Sequence, residues 1–153
     1  MYRPQDIEAF VARFYQGRQL LLTPYAYQTI FLALAQNGSA SNVITMQANA
    51  DFCLLGLRHR AQIGAAQTIS TMTAPYVRVL ITDTGSNEQF TNTSIDLNNY
   101  APAMAVDFAL PYPRLISGRS TLQIAVNNYA PTAESYTSIE LSLYGVLVRA
   151  LSS

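Results

Sequence analysis

Near the start of the chain, apolar residues recur at helical spacing. Ile7, Phe10, Val11 and Phe14 fall at i, i+3, i+4 and i+7 and form one stripe. Pro4 suits a first helical turn, Asp6 and Glu8 favour the positive helix end, and Gly17 is placed to close it. No later segment repeats this spacing for three turns. From Leu20 onward the period is two. Tyr25, Tyr27, Thr29, Phe31 and Ala33 alternate with Ala26, Gln28, Ile30, Leu32 and Leu34, up to the turn residues Asn37-Gly38. Asn-Gly predicts a hairpin, because both residues accept positive φ.

Further strands are predicted over 42–47, 51–57, 76–82, 105–110, 121–127 and 137–149. Asp83-Thr84-Gly85-Ser86-Asn87 reads as a hairpin turn. Gly145, inside the last run, predicts a bulge beyond which the facing residues can switch. The fold class expected is all-β: a jelly-roll-like antiparallel β-sandwich of about eight strands with one N-terminal helix. The organisation expected is a helical segment over 1–19, an anchor or a lid, followed by a sandwich domain over 20–153. Asn98-Asn99-Tyr100-Ala101-Pro102 recurs as Asn127-Asn128-Tyr129-Ala130-Pro131. With two strands between the copies, both loops should lie at one end of the sandwich.

Composition narrows what such a sandwich can do. Of 153 residues half are hydrophobic and only 12% are charged, against roughly 25% in average soluble proteins. That excludes a disordered chain, and the net charge of zero argues against a free nucleic-acid binder. All nine basic residues are arginine, tyrosine occurs 10 times and tryptophan is absent. Arginine and tyrosine are enriched at protein interfaces and lysine is depleted there, since a planar guanidinium or phenol is more readily desolvated. A GC-rich genome would also replace lysine, but low charge and excess tyrosine together favour an exterior meant to be covered. No apolar run reaches the roughly 18 residues of a membrane span. The N-terminus does not match a signal peptide, so synthesis in a cytoplasm is expected.

Candidate catalytic chemistry is sparse. Cys53 and His59, the only cysteine and histidine, fall on one predicted strand at even separation. That places them on one face but roughly 20 Å apart, too far for a thiol–imidazole pair. Cys53 is expected to be a small core residue. No Gly-x-Ser-x-Gly elbow, Walker loop or zinc-ligand set is present. No enzyme activity, cofactor or metal is expected.

Three stretches of the C-terminal half carry a resemblance. They are Phe108-Ala109-Leu110-Pro111-Tyr112-Pro113-Arg114-Leu115-Ile116, the run Gly118–Asn127, and Ile139-Glu140-Leu141-Ser142-Leu143-Tyr144-Gly145. Together with Asn49-Ala50-Asp51-Phe52, they resemble small jelly-roll virion structural proteins of tailed bacteriophages. In these a Leu-Pro-x-Pro turn precedes a strand opened by a Gly-x-Ser type turn, and a closing strand ends in an aromatic-Gly pair. The resemblance covers about residues 42 to 147 and leaves the helix outside it.

It implies a non-enzymatic particle subunit located in the virion and made in the host bacterial cytoplasm. Such a subunit would be a capsid decoration (cement) protein or a head–tail or tail component. The partners expected are the major capsid or a neighbouring virion protein and further copies of the chain, with a trimer favoured and neither nucleic acid nor membrane involved. Arg58, Arg60, Arg114, Arg119, Tyr100, Tyr112 and Tyr129 are the expected contact residues. A carbohydrate- or receptor-binding module, with the two Asn-Asn-Tyr loops as its platform, is the rival reading.

Overall fold

The computed structural model describes residues 2–65, 68–100 and 110–151. Helix α1 (Pro4–Ala12) is followed by strands β1 (Leu20–Leu34), β2 (Ser39–Thr45), β3 (Asp51–Gln62), β4 (Met72–Thr73), β5 (Val77–Asp83), β6 (Glu88–Gln89) and β7 (Ile95–Asp96). A one-turn helix α2 (Leu97–Tyr100) precedes β8 (Arg114–Ile116), β9 (Thr121–Asn128) and β10 (Tyr136–Ala150). Most of the strand expected over 105–110 lies outside the described residues. Its last member, Leu110, donates its N–H to the Leu55 carbonyl at 2.8 Å.

The strands form two antiparallel sheets. Sheet A runs β1-β10-β3, with β4 and β8 sharing the far side of β3. Sheet B runs β2-β9-β5, with β6 and β7 sharing the far side of β5. With β6 and β7 taken as one edge and short β4 set aside, successive strands visit the sheets as A, B, A, B, B, A, B, A. That order is the double Greek key of a jelly roll. The alternation predicted from sequence supplies the core between the sheets. Sheet A contributes Tyr27, Phe31, Phe52, Leu54, Leu57, Ile139, Leu141 and Leu143; sheet B contributes Ile44, Val77, Val79, Ile81, Leu122, Ile124 and Val126.

Three local expectations are corrected. The Asn37-Gly38 turn does reverse the chain, with Asn37 at φ 59°. Yet it joins β1 in sheet A to β2 in sheet B, so it crosses the sandwich and closes no hydrogen-bonded hairpin. Turn residues set the local backbone; the partner of each flanking strand is chosen by packing. The Asp83–Glu88 segment is the true hairpin: β5 pairs β6, and Asp83 Oδ1 accepts the Gly85 and Ser86 N–H groups.

The second correction concerns the bulge, which sits opposite Gly145 rather than in its strand. Tyr144 pairs Gly56 and Gly145 pairs Leu54, leaving Leu55 as the extra residue on β3. Facing therefore switches on β3: Phe52 and Leu54 point inward before it, Leu57 and Ala61 after it. On β10 the parity runs unbroken from Ile139 to Leu147. Gly145 is needed there because a Cβ would lie 1.9 Å from the Cys53 carbonyl oxygen.

Finally, the helix is shorter than its stripe. It ends at Ala12, and Gln16 and Gly17 turn the chain with φ of 45° and 80°.

Candidate functional site

Helix α1 lies on the outer face of sheet A. Its Phe10 and Val11 pack with Cys53 and Val148, flanked by Leu20, Leu22, Leu55, Leu115 and Val146. This second, smaller core exists because the outward residues of β1, β3 and β10 are apolar at that end of the sheet. The segment is also tied by polar contacts. The Tyr15 hydroxyl donates to Asp51, whose other oxygen accepts the Gly118 N–H at 2.7 Å. The Tyr2 hydroxyl donates to the Leu110 carbonyl. Burial and the Asp51 carboxylate both push the Tyr15 phenol pKa well up.

Just past the helix the chain leaves a groove of about 560 Å³ between the helix end and β8, lined by Phe10, Arg13, Phe14, Glu88, Tyr112, Pro113, Arg114, Leu115 and Ser117. Phe14 is 54% exposed and Tyr112 62% exposed. Both rings stand edge-on to the buried Phe10, with centroids 5.3 and 5.4 Å away. The Arg13 guanidinium donates to the Tyr112 hydroxyl at 3.1 Å. Arg114 donates to Glu88 at 3.0 Å and lies 4.2 Å over the Phe90 ring. Two exposed aromatic rings held rigidly between two oriented guanidinium groups form a surface suited to protein contact, where aromatic and arginine anchors carry most binding energy.

Of the seven expected contact residues, the structure brings only Tyr112 and Arg114 together in this groove. Arg58 and Arg60 lie on the part of the outer face of sheet A that the helix leaves bare. There Arg58 stands 5.1 Å over Tyr144, and Arg60 pairs with Glu140 at 2.7 Å while its buried Nε has no hydrogen-bond partner. Arg119 is exposed in the β8–β9 turn at φ 67°.

Tyr129 sits near Asp96 and Asn98, so the two Asn-Asn-Tyr copies do meet at one end. They meet differently, however. Asn128 is fully buried and holds the loop through the Leu34 and Glu134 carbonyls, whereas Asn98 bonds Asp96 and the Pro75 carbonyl. The Tyr129 hydroxyl donates to Asp96, and Arg78 lies 4.1 Å over its ring. The side chain of Tyr100 lies outside the described residues.

Sequence reasoning missed Arg13, Phe14, Glu88 and Phe90. Phe14 was read as the last member of a core stripe, and only the early end of α1 turns it outward. A signal was present in Gly17, placed too close for a fourth turn.

The pair considered for nucleophilic chemistry is separated more thoroughly than spacing implied. Because the Leu55 bulge intervenes, Cys53 faces the helix and His59, opposite core-facing Leu141, faces the other sheet. Even spacing had placed them on one face. Burial raises the Cys53 thiol pKa to about 11, the opposite of an activated nucleophile. Among the described residues no group of three metal-ligating side chains converges, and no helix is long and apolar enough to cross a membrane. Comparison with known proteins finds no family model, no curated protein and no solved structure that matches the chain.

Proposed function

We propose that this protein is a non-enzymatic structural subunit of a bacteriophage virion, a capsid decoration protein that binds the shell and bridges neighbouring subunits. The observation that carries the reading is the groove at the helix end. In a chain with so few charges, Phe14 and Tyr112 stand exposed beside Arg13 and Arg114. The jelly-roll strand order and the turn motifs over residues 108–145 support the same reading.

Each bound copy stabilises the shell by mass action, since it binds the assembled lattice and not its dispersed subunits. A closed homo-oligomer, favoured as a trimer, would present several copies of the groove at once and raise avidity.

The test is co-sedimentation of the purified chain with decoration-free shells. Saturation at hundreds of copies per particle is expected, with loss of binding in Phe14→Ala and Tyr112→Ala. Saturation at a dozen or fewer would assign the protein to the neck or tail instead. Absence of binding to any virion component would overturn the proposal.

A carbohydrate-binding reading has one observation of its own. The outer face of sheet B forms a concavity of about 600 Å³ lined by Ser39, Ser41, Arg78, Gln123 and Asn127, hydroxyl and amide groups suited to sugar hydroxyls. Glycan-array binding lost on Asn127→Ala would favour it; a blank array would remove it.

A further inference from the structure

From Gln19 to Ala50 the chain runs 32 residues without a charged side chain or histidine. This stretch builds β1 and β2, the edge strands of the two sheets on the same side of the sandwich. The two adjoin directly: Asn42 Nδ2 of β2 donates to Thr29 Oγ1 at 2.8 Å and to the Ile30 carbonyl at 3.0 Å. Edges meant for water are commonly blunted with charge, above all lysine. Here the protection is of another kind. Pro24 lacks an N–H, and Asn42 occupies the Ile30 carbonyl, so strand addition is blocked while the side chains stay apolar. Leu32 is 72% and Val43 62% exposed, one on the outer edge of each sheet, and Leu21, Tyr25 and Ile30 are exposed between them.

From this we infer that the β1–β2 side is the contact between copies of this chain. The inference rests on the homo-oligomer part of the proposed function and assigns its surface. Near the axis of a closed oligomer, side chains face their own copies, so any charge there repels itself. A long stretch with no charge meets that requirement, whereas a charged partner would leave complementary charges on this side. The size also fits. A 15-residue strand is ~50 Å long. With the two sheets and their side chains giving a width of ~15 Å, the side presents roughly 750 Å², close to the ~800 Å² per partner of a standard interface. Blocked strand addition keeps such a contact closed instead of letting it grow into a fibre.

The experiment measures solution mass by light scattering across a concentration series for the full chain, Leu32→Asp, Val43→Asp and a control, Met72→Asp, with circular dichroism to verify folding. The two test positions are exposed, so the substitutions leave the monomer fold intact. The expected result is an oligomer for the wild type and the control. The two test variants should be monomers, with a dissociation constant raised at least a hundredfold, on the order of what like charges brought face to face cost. An unchanged oligomer in both test variants overturns the inference while leaving homo-oligomerisation standing on another surface. A wild-type chain that stays monomeric at every concentration overturns the inference and the homo-oligomer reading together. If the same variants then lose shell binding, the side belongs to the shell.

Discussion

The outer face of sheet A is divided into two halves with opposite fates. At one end Cys53, Leu55, Val146 and Val148 are sealed beneath α1. At the other, Arg58, Arg60, Glu140 and Tyr144 lie beneath no helix and satisfy one another by a cation–π contact and an ion pair. The boundary is the bulge at Leu55, opposite Gly145. One sheet thus supplies an apolar seat and a polar exterior from the same strands. The bulge matters because it turns Leu55 outward under the helix and Leu57 inward to the main core.

Breaking the boundary should have the largest effect. Gly145→Val puts a side chain into the Cys53 carbonyl, and Phe52 leaves no room on the other side. We expect a loss above about 4 kcal/mol, or failure to fold, in urea denaturation. Next comes the seat itself. Phe10→Ala removes a buried ring and should cost about 3 kcal/mol. Phe14→Ala, one turn later and exposed, should stay within about 0.5 kcal/mol while abolishing shell binding. If the two variants have equal stabilities, the helix is not seated as described.

The sealed half also predicts a pH response. Cys53 titrates at about 11 in the fold against an ordinary 9.0. Its neutral form is favoured by folding, so stability is full below pH 9 and declines as pH rises, because only the unfolded chain then releases the proton. The decline approaches about 2–3 kcal/mol near pH 11. Tyr15, Tyr27 and Tyr136, whose phenols are also raised, act in the same direction above pH 10. Denaturation at pH 8 and pH 10 should therefore differ in the wild type and differ less in Cys53→Ala.

The smallest effect belongs to the bare half. Glu140→Gln should cost about 1 kcal/mol or less, and the difference should shrink at high salt, because the pair is partly exposed. A larger loss would mean that the bare half is held as rigidly as the sealed one.

Much of this was legible in the sequence. The alternation in 25–34, 77–82, 121–127 and 137–149 marks core and exterior residues because period two is a property of the extended backbone itself. The early helix, the reversal at Asn37-Gly38 and the hairpin at Asp83–Glu88 follow from local dihedral preferences. The charge-poor, arginine- and tyrosine-rich exterior is plain composition. What these local signals do not carry is which strands become neighbours. Asn37-Gly38 reverses the chain whether the next strand stays in the sheet or crosses to the other, and only the burial of both inner faces decides. The Leu55 bulge leaves no mark in its own residues; it is imposed by Gly145, about 90 positions away. Phe14 and Phe10 are the same residue type on the same stripe, and one is buried and the other exposed solely because the helix stops at Ala12. Backbone propensity acts over a few residues, whereas exposure and partnership depend on every element that folds against them.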